Sequence, residues 1–74
     1  MDTMNLEKMS LRNAVQMNKD ELTAIEDGET AYTYFSGHRI TRLIRQGILE
    51  VSMTHRGKRT VLTEEARAVL EADQ

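Results

Sequence analysis

Cationic side chains are concentrated in one stretch of this sequence, from Ser36 to Leu62. The stretch holds six of the ten Lys and Arg residues of the 74-residue chain, together with a single acid, Glu50. Guanidinium and ammonium groups bind phosphates, and an Arg side chain can also pair with two acceptor atoms on a guanine edge in the DNA major groove. The residue types in this stretch therefore indicate an anion-binding surface of the kind that contacts nucleic acid.

A short helix must position the first of these cations. Ser36 is a suitable N-cap because its hydroxyl can accept a hydrogen bond from the first helical turn, and Gly47 can follow the helix because glycine enters the left-handed region at little cost. Between them, Ile40, Leu43 and Ile44 have the i, i+3, i+4 spacing of a stripe that faces a core. The pattern predicts an amphipathic helix between the two capping positions.

The polar side of this helix carries the side chains that are candidates for contacting nucleic acid. At about 100° per residue, His38, Arg42 and Arg45 lie opposite the apolar stripe. Arg39 and Thr41 lie on the flanks of that side. A solvated helix surface has the same pattern, so the functional interpretation depends on the next predicted element, which is basic too.

After the helix, the hydrophobic period changes from 3.6 residues to 2. Leu49, Val51 and Met53 alternate with polar residues, as in a half-buried β-strand. A His-Arg-Gly-Lys turn follows, in which Gly57 can adopt a positive φ, and the β-prone residues 59–62 return antiparallel to the first strand. The tip of this hairpin carries four basic side chains: His55, Arg56, Lys58 and Arg59.

A last helix is predicted from residue 64 to about residue 72. Thr63 is a suitable N-cap, and two glutamates follow it in the first turn, where the helix dipole favours acids. Ala66, Val69 and Leu70 have the spacing of a core-facing stripe. The hairpin is therefore expected to be followed by a helix that packs against the core.

The N-terminal half is expected to supply supporting elements. Residues 1–17 form an arm or a helix that packs on the domain or on a second copy. Their apolar residues have loosely helical spacing: Leu6, Met9, Leu11, Val15 and Met17. A helix from about residue 19 to 27 follows, with Asn18 as its N-cap and Gly28 as its stop. Residues 30–35 alternate as in a short strand, and a distorted helical turn also fits them.

The order of these elements, and three sequence segments, resemble the winged helix-turn-helix family of DNA-binding domains. The segments are RLIRQGILEV, HRGKR and VLTEEARAVL. Residues 43–48 occupy the place of the Leu-x-x-x-Gly-Leu pattern that leads into the wing in many members, and residues 62–66 that of the Leu-Thr-x-x-Gly/Ala segment that opens the last helix. The resemblance covers about the C-terminal half. It implies an α+β fold: a small winged-helix-like domain over residues 18–74, with helices and a two- or three-stranded antiparallel β-hairpin wing.

The resemblance also implies a function. It predicts a sequence-specific DNA-binding protein, acting as a small transcriptional regulator, with helix 36–46 in the major groove and wing 54–60 on the backbone or the minor groove. The helix N-terminus would meet a phosphate. The expected contacts to double-stranded DNA are Ser36, His38, Arg39, Thr41, Arg42, Arg45, Arg56, Lys58 and Arg59. The alternative is a protein–protein interaction module of the same fold that does not bind nucleic acid, which the acidic pI of about 5.6 favours.

The net charge of −2 conceals a strong segregation of charge along the chain. Residues 1–35 carry −4, residues 36–61 carry +5 and residues 62–74 carry −3. Acidic flanks would repel phosphates and orient the basic segment toward DNA. A core built from few large residues, with an apolar N-terminal segment, also favours a homodimer, in which two helices would meet half-sites about one helical turn apart.

Several function classes are disfavoured by what the sequence lacks. With no Cys and two His, the chain has no ligand set for zinc, and neither a metal nor a cofactor is expected. No P-loop, glycine-rich dinucleotide turn or His-Glu-x-x-His motif indicates an enzyme, and no small-molecule substrate is expected. No apolar run approaches the length of a membrane span and no signal-peptide pattern opens the chain, so a cytoplasmic protein is expected that does not engage a membrane.

Overall fold

Helices pack against the base of one antiparallel hairpin in the computed structural model, which describes residues 11–72. The elements in chain order are α1 (residues 11–17), α2 (Lys19–Glu26), α3 (Ala31–Tyr34), α4 (Gly37–Arg45), β1 (Leu49–Thr54), β2 (Gly57–Leu62) and α5 (Glu64–Ala72). The strands pair from Leu49 opposite Leu62 at the base to Thr54 opposite Gly57 at the tip. The predicted α+β fold with a winged-helix-like shape is confirmed, and within the described residues its wing has two strands.

The core lies between the helices and the base of the hairpin. Each helix contributes at least one buried side chain, and the hairpin contributes the pair Leu49 and Leu62. The buried hydrophobic residues are Val15, Leu22, Ile25, Ala31, Phe35, Ile40, Leu43, Ile48, Leu49, Leu62, Ala66 and Leu70. Phe35 is the one aromatic side chain among them, so the core of the described residues is small and almost entirely aliphatic.

The predicted amphipathic helix is α4. The Ser36 hydroxyl accepts a hydrogen bond from the Arg39 N–H (3.2 Å), as expected of an N-cap. Ile40 and Leu43 are buried as predicted, but Ile44 is 38% exposed, so its assignment to the core stripe is wrong. The buried arc is centred between Ile40 and Leu43, and position 44 lies about 70° away from that centre.

The hairpin confirms the predicted wing, although most of its apolar side is exposed. Leu49 is buried, whereas Val51 and Met53 are 54% and 73% exposed, so the prediction of a half-buried strand is wrong beyond the base of the hairpin. Val51 and Met53 share one face of the hairpin, whereas the end of α2 borders the other face, at Arg59 and Val61. The second strand begins two residues earlier than predicted, because Gly57 (φ 107°) itself joins the ladder after a two-residue turn.

Residues 30–35 form a helical turn, and the strand interpretation is wrong. α3 is a single turn in which the Phe35 N–H donates to the Ala31 carbonyl oxygen (3.0 Å). Ala31 and Phe35 are four residues apart and both buried, which is a helical spacing. Tyr32 and Tyr34, whose alternation suggested a strand, are both exposed. The chain therefore has a helix directly before α4.

Asn18 is not the predicted side-chain cap of α2. It occupies the N-cap position, but its side chain makes no capping hydrogen bond and is 7% exposed. α1 leads almost directly into α2, so the Asn18 N–H remains bonded to the Ala14 carbonyl oxygen (3.2 Å) and the side chain is free for a tertiary contact. The predicted stop is confirmed, since Gly28 follows α2 with a φ of 115°.

The predicted N-terminal arm is described in part. Residues 1–10, including Leu6 and Met9, lie outside the described residues. Residues 11–17 form α1 and pack on the domain itself, since Val15 is fully buried in the core and Leu11 packs against it. Val15 is therefore unavailable for contact with a second copy.

α5 begins and packs as predicted. Thr63 Oγ1 accepts a hydrogen bond from the Ala66 N–H (3.1 Å) and donates one to the carbonyl oxygen of Gly47 (2.6 Å), whose φ is 79°. The Thr63 N–H also donates to the Ile48 carbonyl oxygen (2.9 Å). One threonine thus caps α5 and holds the turn that follows α4.

None of the helices between residues 11 and 72 is long and apolar enough to cross a membrane.

We expect Leu43→Ala to unfold much of the protein. Removing a buried leucine side chain costs about 2–5 kcal/mol, which is a large part of the stability of a domain this small. Ile44→Ala is the matched control, since it shortens the neighbouring, partly exposed side chain and should cost about 1 kcal/mol or less. Thermal unfolding followed by circular dichroism measures both variants. Equal losses would contradict the orientation of α4.

Candidate nucleic-acid interface

One side of α4, which we call its outer face, presents three basic side chains: His38, Arg42 and Arg45. All three are exposed, and they lie opposite the buried Ile40 and Leu43. The sequence of α4 contains no acidic residue. The structure therefore brings together on one face the cations that the periodicity predicted to share it.

The cations of the outer face and of the wing have no carboxylate partner within residues 11–72. The ion pair found in this part of the chain joins Arg67 Nε to Glu26 Oε1 (2.9 Å), and the two side chains are 41% and 36% exposed. No carboxylate oxygen of these residues lies within 4.0 Å of the outer-face arginines, nor of Arg56, Lys58 or Arg59. Their charge is available to an anionic ligand.

Arg39 has a different environment from the outer face. Its Nη2 donates a hydrogen bond to Asn18 Oδ1 (2.8 Å), and its guanidinium carbon lies 5.7 Å from the centroid of the Phe35 ring. These contacts direct Arg39 toward the junction of α1 and α2, and the ring adds a cation–π attraction. Arg39 therefore holds α4 against the domain.

Asn18, the hydrogen-bond partner of Arg39, is not among the site residues predicted from the sequence. Its amide is fixed at both ends, since Nδ2 donates to the Ala14 carbonyl oxygen (2.8 Å) while Oδ1 accepts from Arg39. A buried amide left without such partners would cost about 1–3 kcal/mol. A signal was present in the sequence, because Val15, Asn18 and Leu22 share one helical face, which places a polar residue among core positions.

The two hydroxyl residues predicted to contact DNA make hydrogen bonds within α4. Ser36 Oγ caps the helix, and Thr41 Oγ1 donates to the Gly37 carbonyl oxygen (3.0 Å). Both residues are exposed. The Ser36 hydroxyl keeps its own proton to donate, at a helix end where the backbone N–H groups and the dipole favour an anion.

One threonine closes the tip of the wing. Thr54 Oγ1 donates to the Gly57 carbonyl oxygen (2.8 Å) and accepts from the Arg56 N–H (3.2 Å). Arg56 and Lys58 are exposed at this tip. Arg59 follows Lys58 in β2 and therefore points to the other face of the hairpin. There its Nη2 lies beside Gly28, which follows α2, at 3.8 Å from the position that a Cβ atom would take on that glycine. The wing cations therefore leave the hairpin in two directions.

A groove of about 300 Å³ separates β2 from the segment that joins α2 to α3, and we call it the wing groove. Its lining includes Thr30, Tyr32, Arg56, Lys58, Arg59 and Thr60. This groove is not predictable from local sequence patterns, because its two sides are separated in the chain by α4 and β1. Within residues 11–72, no group of three or more His, Asp or Glu side chains is arranged to hold a metal ion.

Comparison with known proteins gives no relative: no protein-family model, curated protein or solved structure matches the chain. The shape and charge of the surface formed by the outer face of α4 and the wing are therefore the basis for assigning a function.

Asn18→Ala should lower the free energy of unfolding by about 1–3 kcal/mol, because it removes both hydrogen bonds of the amide and leaves the Arg39 guanidinium without its acceptor. Asn13→Ala, at an exposed position of α1, is the control and should change stability by less than about 0.5 kcal/mol. In a double-mutant cycle, Arg39→Ala should cost at least about 0.5 kcal/mol less when Asn18 is already alanine. Urea unfolding measures the cycle, and strictly additive losses would show that the two residues are uncoupled.

Proposed function

We propose that this chain is a sequence-specific protein that binds double-stranded DNA in the manner of winged-helix domains and acts as a small transcriptional regulator. The observation that carries the proposal is the outer face of α4. His38, Arg42 and Arg45 project from a helix whose opposite side is buried, and no carboxylate within residues 11–72 neutralises the two arginines. The major groove of B-DNA admits one α-helix and presents acceptor atoms that arginine pairs with.

In this proposal α4 enters the major groove with its outer face toward the bases. Arg42 and Arg45 pair with the N7 and O6 atoms of guanine, and each good pair gives about 1–3 kcal/mol of discrimination against a wrong base. Ser36 and the N-terminus of α4 lie against a phosphate and fix the register of the helix on the duplex. Arg39 supports this contact indirectly, because it fixes α4 on α1 and α2.

The wing supplies contacts that do not depend on the base sequence. Arg56 and Lys58 at the tip reach the phosphate backbone or the adjacent minor groove, where the Lys58 ammonium acts as a point charge. Arg59 lies along the end of α2 and adds to the long-range attraction. The acids of α2 and α5 favour this orientation, because Asp20, Glu21 and the two glutamates that begin α5 repel phosphates from the other surfaces.

The proposal includes a homodimer that forms through α1 and α5. An apolar groove of about 430 Å³ between these helices is lined by Leu11, Arg12, Glu65, Ala68, Val69 and Ala72. Arg12 and Glu65 have no ion partner within residues 11–72. Two copies related by a two-fold axis can therefore pair Arg12 of each with Glu65 of the other while they cover the apolar groove.

Arg42→Ala should weaken binding to a specific duplex by about 1–3 kcal/mol more than binding to a random duplex, because it removes a base contact. Lys58→Ala should weaken both alike and reduce the slope of log affinity against log salt by about one unit, because it removes a phosphate contact. Fluorescence anisotropy across a salt series measures both, with a specific duplex selected by the wild-type protein from a random library.

Arg67→Ala is the charge-matched control for this experiment, since Arg67 lies on α5 and pairs with Glu26. It should leave the specificity unchanged. Absence of duplex binding at low salt, where phosphate contacts are strongest, would contradict the proposal. That result would favour a protein-interaction module instead, for which the exposed Val51 and Met53 provide an apolar surface.

Ala68→Glu should convert the dimer to a monomer, because it places a carboxylate in the apolar groove of each copy. Ala68 is exposed in the single chain, so the fold should not change. Asn13→Glu adds the same charge at an exposed position on another side of α1 and should leave the dimer intact. Light scattering at high micromolar concentration measures the mass, and a wild-type monomer would contradict the homodimer.

A further inference from the structure

We propose that the wing groove binds a single unpaired nucleotide, whose phosphate lies against Arg56, Lys58 and Arg59 and whose base stacks on Tyr32. This site goes beyond the proposed function, because it uses neither the outer face of α4 nor a base-paired duplex. The volume of the groove, about 300 Å³, lies at the lower end of the range for ligand pockets and suits one nucleotide better than a larger ligand.

Three cations line the wing groove and determine the charge of its ligand. Lys58 and Arg59 point to opposite faces of β2, and both line the groove. Arg56 joins them from the turn, and no carboxylate within residues 11–72 pairs with any of the three. Three cations that have no carboxylate of residues 11–72 within 4.0 Å favour a phosphate, which carries nearly two negative charges and several acceptor oxygens, over a carboxylate.

Two hydroxyl groups in the groove are also available to make hydrogen bonds with a ligand. Thr30 and Thr60 line it, and neither side chain makes a hydrogen bond within the described residues, whereas the hydroxyl of Thr54 is already used in the turn. A nucleotide offers partners for both, in its phosphate oxygens and in the hydroxyl groups of its sugar. The polar groups of the groove are thus matched to a phosphate attached to a sugar.

Tyr32 supplies the aromatic component of the site. It is 64% exposed, and its Cε1 lies 3.8 Å from the position that a Cβ atom would take at Gly37, so its ring stands beside the start of α4. The core does not explain this residue, because Ala31 and Phe35 make the buried contacts of the turn. An exposed ring beside clustered cations is the combination that binds nucleotides, since the base stacks on the ring while the phosphate meets the cations.

The base must be unpaired, because a base inside a duplex has both faces covered by its neighbours. Two sources supply the same chemistry: a free mononucleotide, and an unpaired nucleotide that carries a 5′-phosphate at the end of a DNA strand. Arg56 and Lys58 belong both to this site and to the proposed duplex contacts. A bound nucleotide would therefore compete with duplex DNA for the wing.

The experiment measures the binding of adenosine monophosphate, inorganic phosphate and adenosine to the full chain by calorimetry. We expect adenosine monophosphate to bind more tightly than either of its parts. Tyr32→Leu should weaken its binding about tenfold, while Tyr32→Phe, which keeps the ring, should not. Tyr34→Leu is the matched control, since it removes an exposed tyrosine of the same turn that does not line the groove. Lys58→Gln should weaken binding of the two phosphate-bearing probes and leave that of adenosine unchanged.

Two 5′-phosphorylated duplexes distinguish the sources, one blunt-ended and one with a single-nucleotide 5′ overhang at each end. A preference for the overhang that is lost in Tyr32→Leu assigns the site to strand ends, and binding of adenosine monophosphate without that preference assigns it to free nucleotides. The proposal is overturned if Tyr32→Leu changes neither the affinity for adenosine monophosphate nor the preference for the overhang duplex. Binding of the blunt duplex should survive Tyr32→Leu and reports separately on the proposed function, so its absence would contradict that function and not this site.

Discussion

Burial of Ile40 and Leu43 in the core determines how α4 is oriented on the domain. α4 has nine residues, so two inward-facing side chains about one turn apart fix its rotation about its own axis. Once that rotation is fixed, Arg42 and Arg45 can lie only on the solvent side. The basic face is thus a consequence of core packing, which holds together charged groups that repel one another in the absence of a ligand.

Hydrogen bonds fix the two ends of α4, which apolar packing alone does not hold in place. The Asn18 amide holds Arg39 near the start of α4, and Thr63 holds the turn at the end of the same helix through the carbonyl oxygens of Gly47 and Ile48. Because Thr63 directly follows β2, its hydrogen bonds also set the hairpin relative to α4. The relative position of the helix surface and the wing therefore depends on two polar side chains as well as on the aliphatic core.

Local patterns in the sequence are sufficient to predict most of the helices and strands. They are insufficient to predict the contacts between elements that are distant in the chain. The caps at Ser36 and Thr63 are predictable because capping depends on residues within one turn. α3 is ambiguous because a single turn is too short for its period to be distinguished from that of a strand. The hydrogen bond between Asn18 and Arg39 spans 21 positions, and the exposure of Val51 depends on which face of the hairpin borders the end of α2. Both are properties of the assembled fold, as is the wing groove.

The placement of sulfur atoms in the described residues has a chemical consequence. Met17 and Met53 are both exposed, no sulfur atom lies in the core formed by residues 11–72, and the chain has no cysteine. Oxidation of methionine to its sulfoxide turns an apolar side chain into a polar one and disrupts cores that contain it. Oxidation of these two side chains would therefore leave the core formed by residues 11–72 intact and would make the surface more polar at residue 17 and near the wing tip. Methionine sulfoxide at these exposed positions would be accessible to the reductases that repair it.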